Sequence, residues 1–323
     1  MKKGLYCFCT VLVLFGLSSQ VFAGAQKDTQ TAYPSKDITL IVPFAPGGGT
    51  DALARKMADI AKADLGVNIL AVNKPGGSGA VGMGEVAQAT ADGYTIVMAT
   101  VEAVLLPLAG LATFKTEDLA PIIRINYDPA ALFVRADSGI NSVADLVNAG
   151  KREPGKTSII VSAFPTNFWL CGAMFKELSG VDFNIIPEPG GAAEQIKNLL
   201  GGHVDAMVIT PAEGANYVKS GDFKLLAIAS DTKDPNFPDV PLFKDIGYDV
   251  VVGTWRGFMA PKSVPANVIN TLEKAFTKAY ESNDMKAFLN TMGFGAGYLN
   301  PADFTKLLND QAKAYGPIIS KYK

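Results

Sequence analysis

Three turns in this chain set glycine, hydroxyl and acidic groups where a strand gives way to a helix. They are Ala45-Pro46-Gly47-Gly48-Gly49-Thr50-Asp51, Ser162-Ala163-Phe164-Pro165-Thr166-Asn167 and Glu188-Pro189-Gly190-Gly191-Ala192. Consecutive glycines let backbone N–H groups come close to a bound group, and a helix start adds about half a positive charge. A turn of this kind cradles a carboxylate or phosphate, or it simply turns the chain. The first is not a Walker A loop, because no Lys-Ser/Thr pair closes it. Its contiguous glycines also lack the G-x-G-x-x-G spacing of a dinucleotide fingerprint. Asp51 has a structural role open to it, pairing with Arg55 one helical turn on. Thr166 is placed to cap the helix behind it. Thr100-Val101-Glu102 ends another strand and brings a carboxylate to that loop.

None of these turns contains Lys or Arg, so an anion there would be held chiefly by N–H groups and hydroxyls. Charge-assisted hydrogen bonds contribute roughly 1.5–3 kcal/mol each, so three or four reach about micromolar affinity. The catalytic inventory is thin. The single histidine, His203, lies in Gly201-Gly202-His203-Val204-Asp205 and reads as a surface turn residue. Cys171 reads as a small core hydrophobe, and Trp169 as packing on the same helix. The chain is expected to have no catalytic residue, no metal site and no cofactor.

Alternating elements must hold these turns in place. Apolar β-rich runs at 38–44, 67–72 and 94–99 are interleaved with helical stretches ending near 64 and 89. The rhythm resumes with strands at 157–162, 183–186, 204–210 and 223–230 and helices at 167–178 and 192–200. Strand then helix, repeated, means doubly wound, mainly parallel α/β units with helices on both faces. In such sheets ligands bind beyond the carboxyl ends of the strands, so loops of the two units can face one another across a cleft. The segment from Pro265 to the end is mainly helical and is expected to return to the first unit.

At 323 residues, with 48% hydrophobic and 19% charged, the chain suits two folded units rather than disorder. The net charge of −2 without a basic run argues against a nucleic-acid partner. Lys2 and Lys3, an apolar run at 5–17 and Val21-Phe22-Ala23 form an export signal, with cleavage expected after Ala23. Removal leaves 27 basic against 31 acidic residues and Cys171 as the one cysteine, so no intrachain disulfide is expected. Residues 24–33 form a polar lead.

Together these motifs resemble the Bug-type extracytoplasmic receptors of tripartite tricarboxylate transporters. The resemblance starts at Tyr33-Pro34, Ile41-Val42-Pro43-Phe44 and the first glycine turn through Arg55. It continues with Asn73-Lys74-Pro75-Gly76, Ala91-Asp92-Gly93-Tyr94-Thr95, Gly190-Gly191-Ala192 and the His203 turn, then Pro238-Asp239-Val240-Pro241 and Trp255 to Pro261. It implies a two-lobed, type II-like periplasmic-binding-protein fold with two crossings between lobes, near 127–135 and 250–257. Lobe 1 would be 34–130 plus 254–323, and lobe 2 131–253. It implies a periplasmic monomer that clamps a small carboxylate or amino acid and passes it to the membrane subunits of the transporter. A sensor presenting the ligand to a signalling partner is the other role such a fold serves. The implied contacts are Pro46, Gly47, Gly48, Gly49, Thr50 and Asp51; Thr100 and Glu102; Ser162, Ala163, Thr166 and Asn167; Pro189, Gly190, Gly191 and Ala192; and Thr210. The chain departs from the family pattern at Ala163-Phe164-Pro165, at Trp169 and at Glu102. Those changes point to a bulkier, partly apolar pocket suited to an aromatic or branched monocarboxylate, or to an amino acid whose ammonium meets Glu102. A solvent-facing Glu102 is the other position open to it.

Overall fold

The computed structural model describes residues 33–323; the export signal and its cleavage after Ala23 fall outside that range. The first half begins with β1 (Ile38–Val42), α1 (Gly49–Leu65), β2 (Ile69–Asn73), α2 (Ala80–Ala87), β3 (Thr95–Thr100) and α3 (Glu102–Ala109). Side chains alternate across a strand, and here both faces are apolar. Ile38, Leu40 and Val42 of β1 pack with Leu53 and Met57 of α1, while Ile41 faces the layer holding Met83 and Val86 of α2. β1 pairs in parallel with both β2 and β3.

β4 (Leu119–Arg135) is the long strand of the molecule. Over 119–129 it runs antiparallel to β9 (Gly253–Pro261), which also pairs with β3. From Ala130 onward it pairs instead with β7 (Ala206–Ile209) and β8 (Phe223–Ala229). Pro129 stands at the change, where a residue without an N–H interrupts no continuing ladder. Gly253 is required opposite it, because a Cβ there would lie 2.5 Å from the Asp128 carbonyl oxygen.

The second half repeats the parallel arrangement. β5 (Ser158–Ser162) lies between β6 (Asn184–Glu188) and β7. α4 (Val143–Arg152) and α5 (Asn167–Ser179) cover one face; α6 (Ala192–Leu200) and α7 (Pro211–Ser220) cover the other. After β9 the chain forms α8 (Ala266–Glu281), α9 (Asn283–Met292), β10 (Ala296–Leu299) and α10 (Pro301–Ser320). α8 and α9 pack on the α1 face, with Phe258 and Phe276 stacked at 4.1 Å. β10 adds to β4.

α10 packs against α3 and β4 and also reaches the second half. Its Gln311 accepts from Trp255 Nε1 at 2.9 Å, and Tyr315 donates to the Val251 carbonyl at 3.1 Å. Just beyond it, the Tyr322 ring meets Trp169 edge-on at 5.0 Å. The resulting sheet has the order β2-β1-β3-β9-β4-β7-β5-β6, so parallel wings are joined by two antiparallel central strands. Among the described residues no helix is long and apolar enough to cross a membrane.

Candidate functional site

The first glycine turn is built around a buried carboxylate. Gly47 takes a positive φ of 83°, and its N–H donates to Asp51 Oδ2 at 2.9 Å. Asp51 Oδ1 accepts from Arg55 Nε at 2.9 Å and from Asn73 Nδ2 at 2.8 Å. Asn73 also donates to the Phe44 carbonyl at 3.0 Å, which ties β2 to the turn. Burial by itself would raise the Asp51 pKa, but the bonds from Arg55, Gly47 and Asn73 outweigh it and hold the carboxyl below its ordinary value. The pairing with Arg55 anticipated from the sequence is therefore present, and Asn73 adds a partner from β2. Gly48 is the N-cap of α1 and offers no side chain, so no side chain caps the first turn of that helix.

Thr50 lies beside this lock with its hydroxyl oxygen accepting from Arg256 Nε at 3.0 Å. Arg256 is the basic residue the three turns lack. It comes from β9 and pairs through Nη1 with Asp128 Oδ2 at 3.0 Å. Asp128 Oδ1 accepts from the Gly295 N–H at 2.7 Å, and Oδ2 accepts from Asn126 Nδ2 at 2.8 Å. Burial raises the Asp128 pKa against the opposing pull of Gly295, Arg256 and Asn126. The Phe294 ring lies 4.9 Å from the Arg256 guanidinium.

Thr100 faces Arg256 across the β3–β9 ladder. Its hydroxyl donates to Glu102, which opens α3 and is half-buried rather than turned fully to solvent. Burial raises the Glu102 pKa; Thr100, its own N–H and the positive charge of Arg256 partly counter that.

In the second half, the Ser162 and Thr166 hydroxyls share a bond of 2.7 Å, and Thr166 caps α5 by accepting from the Trp169 N–H at 3.4 Å. Asn167, buried at the start of α5, donates to Thr254 Oγ1 at 2.9 Å. Ala163 and Phe164 remain partly exposed, and Phe164 meets Trp169 edge-on at 4.6 Å. Pro189 and Gly190 are exposed, and the Gly190 N–H donates to Glu188 Oε1 at 2.8 Å. Gly191, with φ of 77°, caps α6 without a side chain just ahead of Ala192. Thr210 is engaged in a reciprocal cap with Glu213, whose carboxylate accepts from the Thr210 hydroxyl at 2.7 Å.

Two groups of the anticipated residues are thus gathered. Thr50, Thr100 and Glu102 meet around Arg256; Ser162, Thr166 and Asn167 meet at the start of α5. Both groups attach to β9, one through Arg256 and the other through Thr254. Among the described residues, no hydrogen bond links Gly190, Gly191, Ala192 or Thr210 to either group. Arg256, Asp128, Thr254 and Phe294 were not anticipated as members of the site. For Thr254 and Arg256 the one signal is the extended run at 250–260, whose alternation sets both on one face.

A polar concavity of about 580 Å³ lies elsewhere, lined by Ser138, Asp145, Arg152, Lys156 and Asp205. It sits at the amino ends of β5 and β7, opposite to where open α/β sheets take ligands. Asp205 is occupied there, accepting from the Ser158 N–H and hydroxyl at 2.7 and 2.8 Å. Among the described residues no cluster of His, Cys, Asp and Glu is arranged to hold a metal. His203 is exposed in its turn, and burial pushes the Cys171 thiol up to about 12.

Residues 53–323 match the model of the tripartite tricarboxylate transporter family receptor. Protein BugT of Bordetella pertussis is 28% identical over 96% of this chain and 95% of its own length. The ligand-free crystal structure of a TctC solute-binding protein from Polaromonas superposes with a TM-score of 0.83 at 35% identity, covering 90% of this chain and 99% of that one. MatC of Rhodopseudomonas palustris, solved with bound malate, has a TM-score of 0.70 at 22% identity over 89% of this chain and all (100%) of its own. The architecture is that of a two-lobed, type II-like periplasmic binding protein.

Proposed function

The chain belongs to the tripartite tricarboxylate transporter receptor family of solute-binding proteins, and from that membership we propose that it captures a small organic carboxylate in the periplasm and hands it to the membrane subunits of such a transporter. Lobe 1 is taken as residues 34–130 with 254–323, and lobe 2 as 131–253; the change of β4 partners after Pro129 supports that division. The ligand enters between the helix starts of the two lobes. Main-chain N–H groups at Gly48 and Gly49, with hydroxyls of Thr50, Ser162 and Thr166, hold its carboxylate. Neither bond making nor a cofactor is needed: the two lobes close about the two crossings, and ligand favours the closed state.

The observation that carries this reading is the attachment of Thr50 and Asn167, one from each lobe, to neighbouring same-face residues of β9. Thermal unfolding with malate, succinate, adipate, benzoate and glutamate tests it. A ligand at a hundred times its Kd stabilises by about 2.7 kcal/mol, a rise in midpoint on the order of 5 °C for a protein of this size. Small-angle scattering should then record a more compact particle. No shift with any member of the set at millimolar concentration overturns the reading.

A further inference from the structure

Thr254 and Arg256 share one face of β9, and Trp255 between them is buried on the other against Gln311. That face looks toward the start of α1 through Thr50 and the start of α5 through Asn167. Arg256 therefore stands at the α1 start, two residues along the strand from Thr254, which holds the α5 start.

Its donors can be accounted for one by one. A guanidinium carries five N–H groups and accepts nothing. Nε donates to Thr50, and Nη1 donates to Asp128. The second N–H of Nη1 and both of Nη2 have no acceptor among the described residues, and Nη2 lies 3.8 Å from the position a Cβ on Gly49 would take. The free amino group thus lies against the first residue of α1. The side chain keeps 14% of its surface open. It is also held rigidly: Asp128 is fixed by Gly295 and Asn126, and the Phe294 ring supports the guanidinium. Thr50 is affected in turn. Its oxygen already accepts from Nε, so its own O–H is left to donate elsewhere.

We propose that Arg256 binds the ligand directly, its Nη2 group and the Thr50 hydroxyl forming a two-donor fork for one carboxylate of the bound solute. This rests on the receptor reading above and goes beyond it: recognition at the α1 end requires a negative charge, and an uncharged amide in the same place is refused. Asp128 and Glu102 occupy the same corner, so only one carboxylate is accommodated there, and a second must point toward α5.

The test is calorimetry on the exported protein with malate, succinate, adipate and benzoate, each beside its neutral amide. Wild type binds at least one acid and its amide at least thirtyfold more weakly. Arg256→Ala lowers the affinity for that acid at least about thirtyfold while the amide changes little. Arg256→Lys keeps a charge for Asp128 but offers no fork, and loses about tenfold. Thr50→Val, which leaves the ion pair in place, loses about tenfold for the acid alone. Should Arg256→Ala fail to fold, the Lys and Val variants decide. Unchanged acid affinity in these variants, or equal losses for acid and amide, means that Arg256 only positions the loop, and overturns the proposal while the receptor reading stands. If wild type binds none of the acids, the receptor reading itself fails and takes this proposal with it.

Discussion

The two glycine turns, Gly47 to Asp51 in the first half and Glu188 to Ala192 in the second, are the same device at different stages of completion. Each leads a strand into a helix, each caps that helix with a glycine, and each has a glycine N–H bonded to a nearby carboxylate. Their surroundings differ. Asp51 is 4% exposed and is gripped by Arg55 and by Asn73 from another strand, whereas Glu188 is half-buried and has the Gly190 N–H as its hydrogen-bond partner. The first turn is thereby tied to its neighbours by three hydrogen bonds to one carboxylate, the second by one. Ordering a loop on binding opposes affinity by about 0.5–1.5 kcal/mol per immobilised side chain. If the proposed cleft takes its ligand at both turns, that cost would fall on the second turn more than on the first.

The largest expected effect contrasts the two carboxylates directly. Asp51→Ala leaves the Gly47 N–H, the Asn73 amide and the Arg55 head without their common acceptor. A loss of about 2–3 kcal/mol in urea unfolding is expected. Glu188→Ala removes an exposed local bond and should stay within about 0.5 kcal/mol. Similar losses for both would erase the distinction between the turns.

Next comes Gly48. Its φ is −77°, and a Cβ there would meet only the Ala45 carbonyl oxygen at 3.7 Å. Gly48→Val should therefore fold normally yet block the main-chain approach, lowering carboxylate affinity on the order of a hundredfold, the equivalent of two charge-assisted bonds. Gly47→Ala behaves in the opposite way. Its left-handed backbone disfavours a side chain by roughly 1–2 kcal/mol, so stability falls while the space near the ligand stays open. Calorimetry and urea unfolding on both variants separate the roles, and a Gly48→Val protein with wild-type affinity would refute the main-chain cradle.

What could be read in advance follows the range of the interactions. α6 begins and ends where the periodicity places it, and the Asp51–Arg55 pair is a one-turn neighbour. Glycine turns are visible because their conformation is a local matter. β4 escaped notice as a strand because Pro121 and Pro129 break its pattern and its partners change midway. Glu102 reads as loop, although it starts α3. The Arg256–Asp128 pair was invisible for a stronger reason. Its members are 128 positions apart, and only the β4–β9 register brings them together. A charge supplied by a distant strand leaves no trace in the composition of the loop it serves.

The smallest expected effect concerns pH and sets Asp51 against Glu102. Asp51 titrates below its ordinary value in the folded protein, so its contribution to stability is complete above the unfolded value of about 4 and is lost as pH falls through the lower folded one. Glu102 behaves inversely. Burial lifts its folded pKa above the ordinary 4.5, so the folded state holds its proton longer than the unfolded chain. Stability then declines as pH rises from 4.5 through the folded value and is level beyond it. Glu102→Gln removes that decline, and its advantage over wild type should grow across the same interval, as followed by thermal midpoints from pH 4 to 8. The same variant tests the amino-acid reading of the pocket. If an ammonium meets Glu102, glutamate should weaken by about threefold to fivefold while glutarate does not. Equal changes for the two would leave Glu102 as a partner of Thr100 and no more, with no part in holding an ammonium.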